Sequence, residues 1–356
     1  MNNQKNKYLK LKLKITGVIV FVFLFVLFLI WRKTYDHKNV FYKKLFDLCW
    51  IAYAPTNFNP RENIYPSIRN LTEDLTFLKR NGFDGVVTFG SEKTLGQIPK
   101  IAKKLGFKGI IMGIWNLGSR EEFNQAVAAK NYVDGYCVGH LGLYKNYGFE
   151  DLQEAITRLR ENTDRPISTS QNLQLYEKNN KIINLGDWLF PDVRLFWDIE
   201  NFKTPKNLYQ KLVEKYERLV GISEKPVLMK TVGFPTGGSK DASENNQAEF
   251  FKLLLENEKN PFERVPFVYH EAFDQSWKNW HPIEQYWGLF KNDRTAKVGS
   301  KYIWGLNLKQ KSIDIKYIKG GDFLYISIAI ILFSALIFLI WMPKDLKNKL
   351  RRKIEL

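Results

Sequence analysis

The segments Phe77–Val87 (FLKRNGFDGVV) and Ile101–Ile111 (IAKKLGFKGII) are near copies of one another, 24 residues apart. In each copy a stripe of apolar residues at helical spacing ends, a glycine and a phenylalanine follow, and a run of valine or isoleucine begins. A glycine after the last turn commonly terminates a helix, and a short aliphatic run is typical of a strand buried on both faces. The repeat therefore predicts helices that alternate with parallel strands.

The same alternation extends in both directions, from about residue 48 to residue 305. Eight segments have the pattern of strands: Cys49–Tyr53, Gly85–Phe89, Gly109–Ile114, Gly135–Val138, Pro166–Thr169, Val193–Asp198, Pro226–Thr231 and Pro266–Ala272. Eight such units over this length indicate an α/β fold of the (β/α)8 TIM barrel type. A doubly wound open sheet is the alternative, although no G-x-G-x-x-G follows the first strand to favour its nucleotide-binding form.

Two uncharged apolar segments flank this region, Ile15–Trp31 and Phe323–Met342, and each has about the length that crosses a bilayer. Residues 1–14 hold five lysines and no acid, and residues 343–356 hold six basic and two acidic residues. This bias predicts two transmembrane helices with both termini in the cytoplasm. A cleaved signal peptide is the alternative for the first segment, but no small-residue cleavage site follows it.

The expected organisation is that of a cell-membrane protein with an extracytoplasmic barrel. In order, it comprises a basic tail (1–14), a transmembrane helix (15–31), a linker (32–47), the barrel (48–305), a linker (306–322), a transmembrane helix (323–342) and a second basic tail (343–356). The two tails carry about half of the formal net charge of +17. Topology and anionic lipid headgroups account for that share, so the charge does not indicate nucleic-acid binding.

Cys49 and Cys137 are the only cysteines, and each lies in an apolar, strand-like run. This setting favours two free, buried thiols over a disulfide. The sequence contains no pattern that predicts a cofactor or a metal ion.

The loops after the predicted strands are rich in tryptophan, phenylalanine, amides and acids. They are Ala54–Pro60, Gly90–Lys93, Trp115–Ser119, Gly139–Leu143, Ser168–Asn172, Trp197–Phe202, Thr231–Gly238 and Glu271–Trp280. In a barrel, these loops carry the function. Flat aromatic faces beside amides and carboxylates suit a sugar, which has apolar faces and a hydroxyl-bearing edge. For any single tryptophan, packing in the upper layer of the barrel is the alternative.

Several segments, taken in order, resemble glycoside hydrolase family 17, the β-1,3-glucanase family, and most of all its bacterial membrane-linked members. IAYAPTNFNP, VVTFG, GIIMGIWN and RPISTS resemble strand segments of the family, and HEAFDQSWK with IEQYWGLF resembles its C-terminal motifs. The resemblance covers roughly residues 50–298. It implies a carbohydrate-active barrel for β-glucan or a related exopolysaccharide, working beside a membrane glycosyltransferase that makes the polysaccharide.

The departures from this family pattern fall on its chemistry. The position of the general acid/base glutamate is Leu141, and that of the nucleophile is Thr231. Gln275 stands for a third acid and Trp197 for a histidine. A retaining glycosidase needs two carboxylates about 5–5.5 Å apart. The resemblance therefore implies a non-standard or inactive glycosidase that binds polysaccharide.

The residues expected to contact this polysaccharide are Tyr53, Asn57, Glu92, Trp115, Trp197, Phe234, Asp274, Gln275, Trp277, Lys278, Glu284 and Trp287. Two alternatives remain open. One is an active glycoside hydrolase or transglycosylase with relocated acids, for which Asp198, Glu200 and Glu271 are candidates and His140 is a further proton donor. The other is a structural membrane protein whose domain contacts partner chains.

Overall fold

The computed structural model of the protein describes residue 13 and residues 15–25, 37–198, 203–256 and 265–305. Residues 37–305 belong to one compact unit, and residues 15–25, which are helical (α1), belong to another. No helix among these described residues is long and apolar enough to cross a membrane. The second predicted transmembrane segment, the linker 306–322 and the C-terminal tail lie outside the described residues, as does the end of the first segment.

Seven parallel strands form one sheet in the order β5-β4-β3-β2-β1-β7-β6. They are β1 (Trp50–Tyr53), β2 (Gly85–Thr88), β3 (Gly109–Ile114), β4 (Gly135–His140), β5 (Ile167–Ser170), β6 (Met229–Val232) and β7 (Phe267–Tyr269). Each strand falls on one of the eight predicted segments. Their continuous aliphatic runs are buried because helices cover the outer face of the sheet.

The helices follow the strands around the sheet. They are α2 (His37–Asp47), α3 (Ile68–Arg80), α4 (Ile98–Lys104), α5 (Arg120–Ala128), α6 (Phe149–Asn162), α7 (Leu173–Lys178), α8 (Asn180–Leu185), α9 (Leu195–Asp198), α10 (Pro205–Ile222) and α11 (Glu244–Glu256). Within the described residues there are also 3-10 helices at Pro60–Glu62, Lys93–Gln97, Pro282–Gln285 and Val298–Gly305. Helix α3 begins where the Ser67 side chain accepts a hydrogen bond from the Asn70 amide, which satisfies a free N–H of the first turn.

The sixth strand position differs from the sequence prediction, which placed it at Val193–Asp198. Residues Leu195–Asp198 form helix α9 instead, and residues 187–193 run between β5 and β6. Leu189 pairs with Val227, and Asp192 pairs with residues on both sides. Pro191, which has no N–H to donate, interrupts the apolar pattern of this segment, so the sequence does not predict a strand there. With this segment bridging β5 and β6, the curled parallel sheet and its helices are consistent with a (β/α)8 barrel.

Helix α2 seals the amino-terminal end of the sheet, although the sequence predicted a linker over 32–47. Phe41 and Leu45 are buried and pack with Trp50 and Trp188 in one cluster. The rings of Phe41 and Trp188 lie 4.8 Å apart, edge to face. The helix therefore belongs to the barrel and closes its floor. Cys49 and Cys137 are thiols and form no disulfide with each other, as the sequence predicted; Cys137 is buried, whereas Cys49 is only partly buried.

The glycines of the 24-residue repeat have two separate roles. Gly82 and Gly106 follow α3 and α4 with φ of 93° and 84°, a left-handed conformation that costs glycine little. Gly85 and Gly109 begin β2 and β3, where a Cβ atom would lie 2.5 and 2.4 Å from the indole of Trp50. The second glycine of each copy thus leaves room for the side chain that fills the floor of the sheet.

We expect Gly85→Ala to lower the free energy of unfolding by about 1–3 kcal/mol, because the added methyl group overpacks the floor against Trp50. The matched control is Gly221→Ala near the end of α10, where a Cβ would meet no atom within 4 Å. That change should be neutral or slightly stabilising. Urea unfolding of the full-length protein measures both, and equal stability of the two variants would contradict this account of the floor.

Candidate functional site

The loops at the carboxyl ends of the strands enclose a cavity of about 680 Å³. This is the end of a parallel barrel at which binding sites form, and the volume is typical of a ligand pocket. The cavity is called the mouth below. Eleven sequence-predicted site residues line it: Tyr53, Glu92, Trp115, His140, Leu141, Trp197, Thr231, Trp277, Lys278, Glu284 and Trp287.

The other predicted site residues do not line the mouth. Phe234 is fully buried in the core, and Asn57 is exposed outside the cavity. Asp274 lies behind the wall, where its carboxylate binds Lys297 Nζ at 2.7 Å. Asp198 is the last residue of α9 rather than a residue of a strand, and Glu200 lies outside the described residues.

Glu271, a candidate relocated acid, and Gln275, a predicted ligand contact, do not line the mouth, and each holds a residue that does. Both carboxylate oxygens of Glu271 accept hydrogen bonds from Lys278 Nζ, at 2.6 and 2.7 Å. Burial raises the pKa of Glu271 to about 7. Gln275 Oε1 accepts a hydrogen bond from the Trp277 indole N–H at 2.8 Å, and its amide donates to the Ala54 carbonyl at 3.1 Å.

Leu141 and Thr231 lie at the tips of β4 and β6 with φ of 53° and 61°, in the left-handed region. This conformation is unfavourable for a β-branched residue such as threonine. The Thr231 hydroxyl donates a hydrogen bond of 2.6 Å to Asp192 Oδ2, which holds it there. Residues held in such conformations cluster at functional sites, because the surrounding structure must supply the compensating energy.

Asp192 is a residue of the mouth that the sequence did not predict. The strand expected between β5 and β6 was placed at Val193–Asp198, which begins one residue after Asp192. Its carboxylate is fully buried, and burial raises its pKa, although Arg194 opposes this shift. Arg194 Nε lies 3.2 Å from Asp192 Oδ1. The Asp192–Arg194 pair can be predicted at the mouth only if residues 187–193 are recognised as the segment between β5 and β6.

His140 is a neutral imidazole in this setting. Burial, together with the nearby cations Lys230 and Arg194, holds the pKa of His140 well below its usual range. Lys230 Nζ lies 3.0 Å from His140 Nδ1 and can donate to it, which leaves the ring proton on Nε2, 3.7 Å from Asp192 Oδ2. A neutral imidazole is a poor general acid, which weakens the prediction that His140 donates a proton.

The acids on the β2 and β3 side of the mouth bind neighbouring donors. Glu92 accepts a hydrogen bond of 2.9 Å from the Tyr65 hydroxyl. Glu122, the third residue of α5, accepts the backbone N–H of Trp115 at 2.6 Å. Burial raises the pKa of Glu122 to about 7. Because Glu122 reaches back to the β3 tip, this carboxylate orients the loop that carries Trp115.

We expect the stability of the protein to fall as the pH rises from about 5 to about 8, in part because of Glu122. Its raised pKa means that the folded state holds a proton that the unfolded chain has released, so the free energy of unfolding decreases between the ordinary value of 4.5 and about 7. Glu122→Gln removes this titration, so between pH 5 and pH 8 the Tm of the variant should fall by about 5–10 °C less than that of the native protein. Glu271 titrates in both proteins, so identical pH profiles would contradict the assignment to Glu122.

Comparison with known proteins relates this geometry to carbohydrate-active domains. The family model of the BtgE/BtgC glycoside hydrolase domain matches residues 51–288, which contain most of the mouth. No curated protein matches the chain in sequence.

Solved structures share the fold. The chain is similar to a glycoside hydrolase family 17 β-1,3-glucanosyltransferase from Rhizomucor miehei, at 24% identity and a TM-score of 0.57 over 70% of this chain and 95% of that chain. An active-site mutant of the Rhizomucor miehei β-1,3-glucanosyltransferase in complex with laminaritriose gives 23% identity and a TM-score of 0.58, over 71% and 96% of the two chains. A β-1,3-glucanase and allergen of Cryptomeria japonica pollen gives 15% identity and a TM-score of 0.50, over 71% and 98%.

Proposed function

The chain belongs to the BtgE/BtgC glycoside hydrolase domain family, and from this premise we propose that its mouth binds a β-glucan-type polysaccharide. The observation that carries the proposal is the cavity of about 680 Å³ at the carboxyl ends of the strands, whose wall contains several tryptophans. The laminaritriose complex of the Rhizomucor miehei protein supports a β-1,3-linked glucan as the first ligand to test.

Exposed aromatic rings supply the surfaces on which sugar rings would stack. Trp115, at the β3 tip, is 47% exposed, and Trp280, in the loop after β7, is 52% exposed. Trp277 packs beside Trp280, with ring centres 5.6 Å apart, and is held by Gln275. Trp287, in contrast, is only 3% exposed, so its contribution is mainly to the packing of the wall.

Trp115→Ala and Trp280→Ala should each weaken the binding of laminari-oligosaccharides about fivefold, because stacking on one aromatic ring is worth about 1 kcal/mol. Both rings are largely exposed, so neither change should unfold the protein. Tyr302→Ala is the matched control, since Tyr302 is 39% exposed and does not line the mouth. Titration calorimetry measures the three affinities, and an unchanged affinity in both tryptophan variants would remove stacking from the proposal.

We also propose that binding occurs without hydrolysis. Leu141 has no proton to transfer, and Thr231 presents a hydroxyl, hydrogen-bonded to Asp192, where the retaining route requires a carboxylate nucleophile. Without a nucleophile and a general acid, both steps of the retaining route are lost. The domain would then retain or guide the polysaccharide, for example at a membrane glycosyltransferase that synthesises it.

The full-length protein should therefore release no reducing ends from laminarin above background, in an assay in which a β-1,3-glucanase serves as the positive control. General acid–base catalysis alone is worth about a hundred- to ten-thousand-fold in rate, so its loss is readily detected. Asp192→Asn serves as the discriminating variant, since Asp192 is the carboxylate that binds Thr231. Turnover by the native protein that disappears in this variant would establish an active enzyme with a relocated acid instead.

Membrane anchoring is part of the same proposal and is supported by the lysine bias of the two tails. In this arrangement both termini are cytoplasmic and the barrel faces away from the cytoplasm. Protease added to cells with a permeable outer envelope should cleave within residues 37–305 while tags at both termini stay protected. Protection of the barrel would exclude this topology. A co-purifying protein in the absence of any glucan affinity would favour a structural partner role.

A further inference from the structure

The floor of the mouth between the tips of β4 and β6 holds more cations than carboxylates. Lys278 is paired with Glu271, which binds it through both oxygens. The remaining cations there are Arg194, which lines the mouth, and Lys230, which lies just behind the lining against His140, and Asp192 is the carboxylate that faces them. One positive charge is therefore left over.

Lys230 is the more unusual of the two cations. It is 2% exposed, and its hydrogen-bond partner is a neutral imidazole nitrogen, His140 Nδ1 at 3.0 Å. The rings of Phe89 and Phe190 lie 5.5 and 5.3 Å from its Nζ. None of the ion pairs within the described ranges includes Lys230. A buried ammonium group without a paired carboxylate is costly, unless a ligand supplies the missing charge.

Asp192 cannot neutralise both cations by itself. Its Oδ1 lies 3.2 Å from Arg194 Nε, and its Oδ2 accepts the Thr231 hydroxyl at 2.6 Å. The excess charge also acts on the two buried histidines of the mouth. Lys230, Arg194 and Lys278 each add to the effect of burial in lowering the pKa of His140 and of His270.

Two further polar groups of the wall lack partners. His270 is 7% exposed and Trp287 is 3% exposed, and both line the mouth. His270 Nδ1 and Trp287 Nε1 are buried and make no hydrogen bond to any described residue. The indole N–H can only donate, so it requires an acceptor. Unsatisfied polar groups beside an excess cation are the features of a site for an anion.

We propose that this floor binds an anionic group carried by the polysaccharide, a carboxylate or a phosphate ester on a sugar. The proposal rests on the proposed function, because it gives the substrate class of the same mouth. Leu141 and Thr231, at the tips of β4 and β6, are uncharged and so leave the excess positive charge uncompensated. The anion would accept hydrogen bonds from Lys230, from the Arg194 guanidinium and from the Trp287 indole.

The test compares three oligosaccharides of equal length on the full-length protein by titration calorimetry: a neutral laminari-oligosaccharide, the same compound with a carboxylate at C6 of one glucose, and the same compound with a 6-phosphate. We expect at least one acidic compound to bind about tenfold more tightly than the neutral one, because hydrogen bonds between charged groups are stronger than neutral ones. The preference should shrink as salt is added. The carboxylate and phosphate arms identify which group the floor accepts.

Lys230→Met should abolish the preference for the acidic compounds over the neutral one. Lys104→Met, an equal change of charge on the exposed end of α4, should retain the preference. Since Lys230 is buried, Arg194→Gln is the second variant, because the Arg194 side chain is 46% exposed and tolerates change. It should reduce the preference at least threefold.

Equal affinity for all three compounds would overturn the anion site and leave polysaccharide binding intact. A preference for acidic compounds that persists in both Lys230→Met and Arg194→Gln would also overturn it, since the charge would then be recognised elsewhere. Failure of every compound to bind, neutral and acidic alike, would overturn the proposed function itself.

Discussion

The indole of Trp50 sets the geometry on which the rest of the barrel depends. Trp50 is paired in register with Gly85, and Gly85 with Gly109, so the first residues of three adjacent strands form one row. Side chains in such a row point to the same face of a parallel sheet. The indole of Trp50 therefore fills the space beside Gly85 and Gly109, which have no side chains of their own. The indole N–H of Trp50 also donates a hydrogen bond of 3.1 Å to the backbone carbonyl of Lys44, which joins α2 to this floor.

The strands bring distant loops together at the mouth. Strands β1, β2 and β3 start in register, and because all seven strands are parallel, the loops that follow them meet at one end of the sheet. The mouth that results is electrostatically uneven. Glu92 and Glu122 lie on the β2 and β3 side, whereas Lys230 and Arg194 lie at the opposite tips. The proposed anion site depends on this uneven distribution of charge.

At the tips of β4 and β6, the backbone conformation of the site is present without side chains that could catalyse proton transfer. Leu141 and Thr231 adopt left-handed backbone conformations that neither side chain favours. The conformation belongs to the strand ends of this barrel, and the side chains supply no group for acid–base work. Family membership thus accounts for the shape of the mouth, while its reactivity depends on the particular residues there. The Asp192–Thr231 and Lys230–His140 contacts give this mouth a network of its own.

The sequence by itself was enough for the alternation of helices and strands, for seven of the strands and for the loops that carry the aromatic residues. These features depend on local periodicity and on glycines that end helices, both of which are visible within about ten residues. The sequence misplaced the segment between β5 and β6, because Pro191 interrupts its aliphatic pattern. As a result, the sequence analysis did not identify Asp192 as an acid of the mouth. The sequence favoured Asp198 as a candidate acid, whereas the acid from this segment that lines the cavity is Asp192.

Only the tertiary structure decided which polar residues face the mouth and which support it from behind. Glu271 and Gln275 have the composition of ligand-binding residues, yet each is used to hold a neighbour. Thr231 and Asp192 are 39 residues apart, and Lys230 and His140 are 90 apart. Contacts at such separations depend on how the strands are ordered around the barrel. No local pattern encodes that order, so the charge balance of the floor emerges only once the chain has folded.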